Sequence, residues 1–398
     1  MNFLLCNQRN SSFNTHYYES VKDIPDQVFI DLRCKKELYL NPKYLVALEK
    51  NNKQIQFLYI VLSKSKEKFI GFCIIQVIDF HLSSFMDKSL SFFENVNCFV
   101  RKFKFLSSEK SLKILICGNT FVTGEHGIMI AKGEDKKSLL KQFVKALSAL
   151  VNSREDLKKE IDIYMIKDFM NTSLSITNEL KKEGFYSLKV APNMIMKIDS
   201  GWKDLNDYLS DLKTKFRVKA KKALLNSSAL KIENIQLEKL DELLPEMNKL
   251  YKNVLNKAEF NLENFNLSTY KTLKENFEDN YLLKGYWFEK KLVGFMSGMF
   301  NGNILDAHFI GINYDENKNL AIYQRMLYDY IEIAIINKVK WLNFGRTASE
   351  IKSSVGAFPQ EMTIYLRHRK HFSNKILRVF LNKIKLTPFN QKFPFKQK

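Results

Sequence analysis

The chain is 398 residues long, 45% hydrophobic and 27% charged, which excludes a disordered polypeptide and leaves room for two cores. Its formal net charge of +20 favours anionic partners such as phosphorylated donors, nucleic acid or an anionic membrane face, although the abundance of Lys beside Asn, Ile and Phe makes part of it composition bias. No apolar run reaches the roughly 18 residues of a membrane span, and the opening MNFLLCNQRNSSF has no charged-then-apolar signal pattern, so a cytoplasmic protein is expected.

In chain order, FLYIVLSKSKEK followed by KFIGFC (to Cys73) predicts a hairpin whose second strand carries Gly71. A glycine there marks a bulge or a close backbone approach. The stretch 79–111 reads as an insertion. A strand at 112–122 follows, then a helix at 136–151 with Leu139, Leu140, Phe143, Val144, Leu147 and Leu150 on one face. Strand IDIYMI (161–166), a helix ending at Gly184 and strand FYSLKVAPNMIMKI complete the first half. The small polar break Asp199-Ser200-Gly201 marks a boundary. Beyond it, Trp202, Leu205, Tyr208, Leu209, Leu212 and Phe216 predict one amphipathic helix running to Leu224, and a second runs from Leu237 to about Ala258.

The second half then repeats the first. GYWFEKK and KKLVGFM form a hairpin with Gly294 in the place of Gly71, followed by a strand at 304–312 and a helix near 319–337. Strand WLNF (341–344), a short helix at 348–355 and strand MTIYLRHR (362–369) complete it. The shared order predicts a mixed-sheet α/β fold in two tandem domains, 1–199 and 200–370, with a basic tail over 371–398.

Five cysteines (Cys6, Cys34, Cys73, Cys98, Cys117) without CxxC pairing predict reduced thiols, not a disulfide framework or structural zinc. His368 and His371 have His-x-x-His spacing but sit among Arg367, Arg369 and Lys370, whose charge opposes a cation. No metal site is expected.

The hairpin-strand-helix-strand order resembles the GNAT acyltransferase fold. Its doubling, with the basic run YLSDLKTKFRVKAKKA opening the second copy and the stretch WLNFGRTASEIKSSVGAFPQE, resembles the Fem-type (FemAB-like) peptidoglycan-bridge acyltransferases. The resemblance implies an N-acyltransferase without a tightly bound cofactor, taking acyl-CoA or acyl carrier protein as co-substrate. An envelope lipid or peptidoglycan precursor would be the amine acceptor. The alternatives are an aminoacyl-tRNA-dependent transferase and a non-catalytic basic membrane- or nucleic-acid-binding protein. The glycine-rich loop by which GNAT enzymes hold a CoA pyrophosphate at a helix N-terminus is absent: its place holds NYDENKNLAIYQRM. That leaves the donor open.

Asp306 and His308 lie two apart in an apolar strand. They read as a base or amine-binding pair, or as a solvated pair on one face. Arg346 follows a strand end, where ligands of α/β folds sit, and its fork suits a carboxylate or phosphate; a helical-spacing bridge to Glu350 is the alternative. Asp306, Arg346 and Glu350 are the candidate catalytic residues. His308, Tyr323, Arg325, Lys352, Lys215 and Arg217 are the candidate binding residues, although Tyr323 shares the apolar face of its helix and reads first as core, and the basic run reads first as a solvated face. CGNTFVTGEHG (117–127) reads as a tight loop, with a polar-ligand site as the alternative, and the first copy as a scaffold. From Met362 to Lys398 there are ten Lys or Arg and no acid. The apolar stripe Ile376, Leu377, Val379, Phe380 and Ile384, with Phe389, Phe393 and Phe395 beyond, predicts a basic amphipathic segment. It would either lie peripherally on the inner face of an anionic membrane or dock on the protein's own core.

Overall fold

The computed structural model describes residues 13–80, 112–258, 262–384 and 386–396. The expected insertion therefore lies outside the described residues, apart from its first two positions, as do Cys6 and Cys98. In chain order the elements are β1 (Asn14–Tyr18), α1 (Asp26–Asp31), α2 (Pro42–Asn51), β2 (Gln56–Ser65), β3 (Lys68–Phe80), β4 (Leu112–Cys117), β5 (Ile128–Ile130), α3 (Lys136–Ser153), α4 (Glu155–Glu160), β6 (Ile161–Met170), α5 (Leu174–Thr177) and β7 (Tyr186–Lys197). There follow α6 (Leu205–Asp211), α7 (Thr214–Asn226), β8 (Lys231–Asn234), α8 (Leu240–Lys257), α9 (Thr269–Phe277), β9 (Tyr281–Phe288), β10 (Lys291–Asn301), β11 (Ile304–Ile312), α10 (Tyr314–Leu320), α11 (Ile322–Ile336), β12 (Trp341–Asn343), α12 (Ser349–Ser354), β13 (Phe358–His368) and α13 (His371–Leu381).

Two compact units form, and they do not divide at a single cut near 199–200. Unit 1 takes the described residues within Met1–Val190, Glu259–Asn264 and Glu361–Thr387; unit 2 takes those within Ala191–Ala258, Phe265–Gln360 and Pro388–Lys398. The reason is strand pairing. In unit 1, β13 pairs antiparallel with β6, from Met362↔Met170 to His368↔Ile163. In unit 2, the second half of β7 pairs with β12, as in Leu342↔Met196. Each unit thus receives its last strand from the other half of the sequence.

Both hairpins fold as the sequence predicts, and the repeated glycines have one common cause. A Cβ at Gly71 would come within 2.8 Å of the Phe143 ring on α3, and one at Gly294 within 2.8 Å of Met326 on α11. In both units the helix after the hairpin crosses its second strand at the glycine, next to a shift in strand register. The apolar face of α3 is buried as its periodicity requires, with Leu139, Phe143 and Leu147 almost fully covered.

The long helix expected across 202–224 is broken. Leu212 and Lys213 are extended; the Lys213 N–H donates to the Pro394 carbonyl at 2.8 Å, and Leu212 bridges Phe395. The end of the chain lies along this break, with the Phe395 ring 5.6 Å from Trp202 and 6.0 Å from Tyr208. Phe389 also packs on the core of unit 2. That part of the tail docks on the protein itself. The helix expected at 319–337 is likewise two helices, parted by Ala321 at a φ of 48°.

Candidate active site

The site is built on β11 and β12 of unit 2. These strands run parallel, but their pairing lasts only three residues: Ile304↔Trp341, Leu305↔Leu342 and Asp306↔Asn343. Beyond Asp306 the strands part. β11 continues to Ile312 beside β10, while the chain after β12 turns away, Phe344 N–H donating to the Met194 carbonyl at 2.9 Å. Asp306 and Asn343 therefore stand at the base of a fork. The Asp306 carboxylate, only 5% exposed, accepts from Asn343 Nδ2 at 2.7 Å, and Asn343 Oδ1 accepts the Gly345 N–H at 2.9 Å. An acid in a strand core requires such a partner. Sequence reasoning singled out Asp306 but passed over Asn343. The signal was there, as a polar residue alternating with Trp341 in an otherwise apolar strand.

The outer arm of the fork is bulged. Ile310 faces Met296 and Ala307 faces Gly298, so His308 and Phe309 together oppose the single residue Ser297. The strict two-residue alternation expected to carry Asp306 and His308 on one face stops there. Asp306 is buried and His308 half-buried. The bulge is held from behind: Ser297 Oγ donates to the Phe309 carbonyl at 2.8 Å, Tyr270 OH lies 3.1 Å from that hydroxyl, and Tyr330 OH donates to the Ser297 carbonyl at 2.6 Å. A bulge fixed in this way can present backbone N–H groups that the ladder does not use.

The inner arm is a strained turn. Gly345, Thr347 and Ala348 all have positive φ (70°, 67° and 48°), a conformation costly for the two residues with side chains. Lys352 on α12 holds it. Its ammonium, fully buried, donates to the carbonyls of Phe344 at 2.7 Å, Gly345 at 3.3 Å and Arg346 at 2.7 Å. Burial pushes its pKa down to about 7, while three carbonyl acceptors favour the protonated form. Lys352 thus acts on the turn that carries Arg346. Arg346 is half-buried. Glu350 is exposed and ion-paired with Lys392 at 2.8 Å, placing it outside the Asp306–Asn343 group. Gly356, at a φ of 109°, is a turn residue with the Phe395 ring packed over it.

The remaining predicted residues sit on α7 and α11. Arg325 Nε pairs with Asp329 Oδ1 at 2.7 Å, and buried Tyr286 donates to Asp329 Oδ2 at 2.6 Å. Tyr323 packs against the unit 2 core, where burial raises its pKa. Its N–H donates to Asn317 Oδ1 at 2.8 Å. An N–H in the first turn of α11 is therefore capped by the chain's own Asn317. On α7, Lys215 is exposed and Arg217 half-buried, its Nη1 3.5 Å from the Leu212 carbonyl. Lys219, Ser349, Glu350, Phe389 and Lys392 line an open depression of about 560 Å³ beside α12.

In unit 1 the parallel pair β4–β6 ends at Cys117↔Ile166, and the loop 118–127 fills the space beyond. Lys167 Nζ donates to the Asn119 and Val122 carbonyls at 2.6 and 2.7 Å and pairs with buried Asp168 at 2.7 Å. Nearby His126 is held near a pKa of about 4, chiefly by burial and then by the Lys167 charge. The loop expectation for 117–127 fits this arrangement, with Gly118 and Gly124 at positive φ. Cys73 and Cys117 are free, buried thiols with their sulfurs 3.1 Å apart. His368 Nδ1 accepts the Lys370 N–H at 3.0 Å.

Neither a protein-family model nor a curated protein sequence matches the chain. Solved structures do. It is similar to a tandem GNAT protein from the clavulanic acid biosynthesis pathway, at TM-score 0.51 and 8% identity, covering 89% of this chain and 98% of that one. FemX matches at TM-score 0.49 and 12% identity, covering 88% and 96%. L-PGS from Bacillus licheniformis matches at TM-score 0.47 and 11% identity, covering 86% and 95%. At 8% identity the likeness to the tandem GNAT protein speaks for the fold alone. With a hairpin, a crossing helix over a repeated glycine and a parting parallel strand pair in each half, the chain has the tandem GNAT fold of two mixed-sheet α/β domains.

Proposed function

We propose that unit 2 transfers an acyl group from an activated carrier to an amine, in the fork beyond Asp306 and Asn343. The observation that carries this is the parting of β11 from β12 directly after a buried carboxylate. Amide formation needs an amine relieved of its proton, an oxyanion held by preset donors, and two substrates in reacting geometry. Asp306 is the candidate base, oriented by Asn343. Backbone N–H groups along the bulged arm of β11 are the candidate oxyanion donors. Arg346, on the turn held by Lys352, is the candidate anchor for an anionic part of either substrate.

The donor is read as an acyl group on an anionic macromolecular carrier. Two features support an acyl carrier protein over free acyl-CoA: the self-capped start of α11 and the exposed lysines of α7, Lys215, Lys219, Lys221 and Lys222. The same lysines support a second reading with aminoacyl-tRNA as donor. The two separate in one assay. Acyl carrier protein thioester, aminoacyl-tRNA and acyl-CoA are each offered with a mixed amine acceptor pool, and amide products are detected by mass spectrometry. Product from the carrier protein alone supports the first reading and product from tRNA alone the second. Product from acyl-CoA alone would contradict both.

A further inference from the structure

We infer that the outer face of α13 is a docking surface for an anionic phospholipid bilayer. The helix is fixed to unit 1 along one side only. Asn374 is the pin: its Nδ2 donates to the Gly184 carbonyl at 2.9 Å and its Oδ1 accepts the His368 N–H at 2.8 Å. Leu381, two turns on, is buried beside it. On the opposite side Phe372 is 75% exposed and Val379 46% exposed, with Leu386 at 42% just past the helix end. Phe372 and Val379 are seven residues apart, so they share one ridge. Lys375 and Lys383 are exposed along it, Arg378 is exposed beside it with its guanidinium 5.9 Å over the Tyr186 ring, and no Asp or Glu occurs anywhere from Met362 onward.

Protruding apolar side chains flanked by cations, without acids, match the interfacial layer of an anionic membrane. The apolar groups enter the acyl boundary, and the Lys and Arg stems lie along it with their charges at the phosphates. Among the described residues no helix is long and apolar enough to cross a membrane, and α13 is a short helix, so it would lie flat. A nucleic-acid surface would use the cations but would leave Phe372 and Val379 against water. The surface belongs wholly to unit 1 and involves none of the residues assigned to the fork, so the inference stands or falls apart from the proposed reaction.

The test is cosedimentation of the full chain with phosphatidylcholine vesicles, with and without phosphatidylglycerol. The expected result is binding to the phosphatidylglycerol vesicles alone, lost when salt at about 1 M shortens the screening length to roughly 3 Å. Phe372→Glu with Val379→Glu, and separately Lys375→Gln with Arg378→Gln and Lys383→Gln, should each lower the bound fraction by about tenfold or more without moving the melting temperature. Wild-type protein that stays in the supernatant with phosphatidylglycerol vesicles, or two variants that bind as wild type does, would overturn the inference.

Discussion

At the residue scale the account rests on Asp306 and the chain of bonds that orients it. Asp306→Asn keeps the shape and the bond partner but removes the base, so transfer should fall by about 10²–10⁴-fold with stability little changed; initial rates alongside urea denaturation check both halves. Lys352 makes a second prediction. Lys352→Met leaves three carbonyls without their donor and should cost about 2–4 kcal/mol of stability, read from denaturation midpoints. Its pH dependence has a definite sign. The folded pKa, about 7, lies below the ordinary 10.5, so the unfolded chain binds the extra proton in that window. The stability of wild type relative to Lys352→Met should therefore rise as pH rises from about 7 towards 10; a flat difference would mean that the carbonyls keep the ammonium charged. Asp306 was legible because a carboxylate is conspicuous in an apolar strand. Asn343 was not, since its part depends on which strand lies alongside. The fates of Lys352 and Arg325 were hidden for a related reason: a sequence does not say whether a cation meets carbonyls, a buried acid or a ligand.

Among the elements, the repeated hairpin was readable because the crossing of a helix over a strand demands glycine in both copies. The two sites differ in what would meet a new methyl group. At Gly71 it is the rigid Phe143 ring, and at Gly294 it is the Met326 methyl together with Ile322 Cγ2 and the Gly311 carbonyl, of which only Met326 is flexible. Gly71→Ala and Gly294→Ala should each cost about 1–3 kcal/mol, as measured by chemical denaturation. The broken helix at Leu212–Lys213 was unreadable, because apolar spacing continues smoothly through it. What breaks it is a backbone partner at residues 394–395, far away in sequence. The start of α11 is a similar case: the lack of glycine was visible, but the Asn317 cap that replaces it was not. Asn317→Ala should cost about 0.5–2 kcal/mol of stability.

For the whole molecule, two tandem α/β domains followed from element order alone. The exchange of end strands did not, because each of β7 and β13 looks like a plain strand wherever it pairs. The basic tail was read as one amphipathic segment and proves to be two pieces. In the α13 part Phe372 and Val379 are exposed, whereas Ile376, Leu377, Phe380 and Ile384 of the expected stripe are half-buried; residues 388–396 pack on the unit 2 core through Phe389 and Phe395. Truncation after Thr387 should consequently lower the melting temperature by several degrees, since it removes Phe395 from its packing on the Trp202 and Tyr208 rings.

The central claim is that a carboxylate at the base of a parted strand pair drives amide formation. Wild type, Asp306→Asn and Asn343→Ala should be compared side by side for amide product from an acyl carrier protein thioester, an aminoacyl-tRNA and acyl-CoA, with melting temperatures recorded for all three proteins. The account predicts product from wild type with a carrier-bound donor, nearly abolished in Asp306→Asn and reduced in Asn343→Ala, with all three folded. Undiminished product from folded Asp306→Asn, or no product from wild type with any of the three donors, would contradict it.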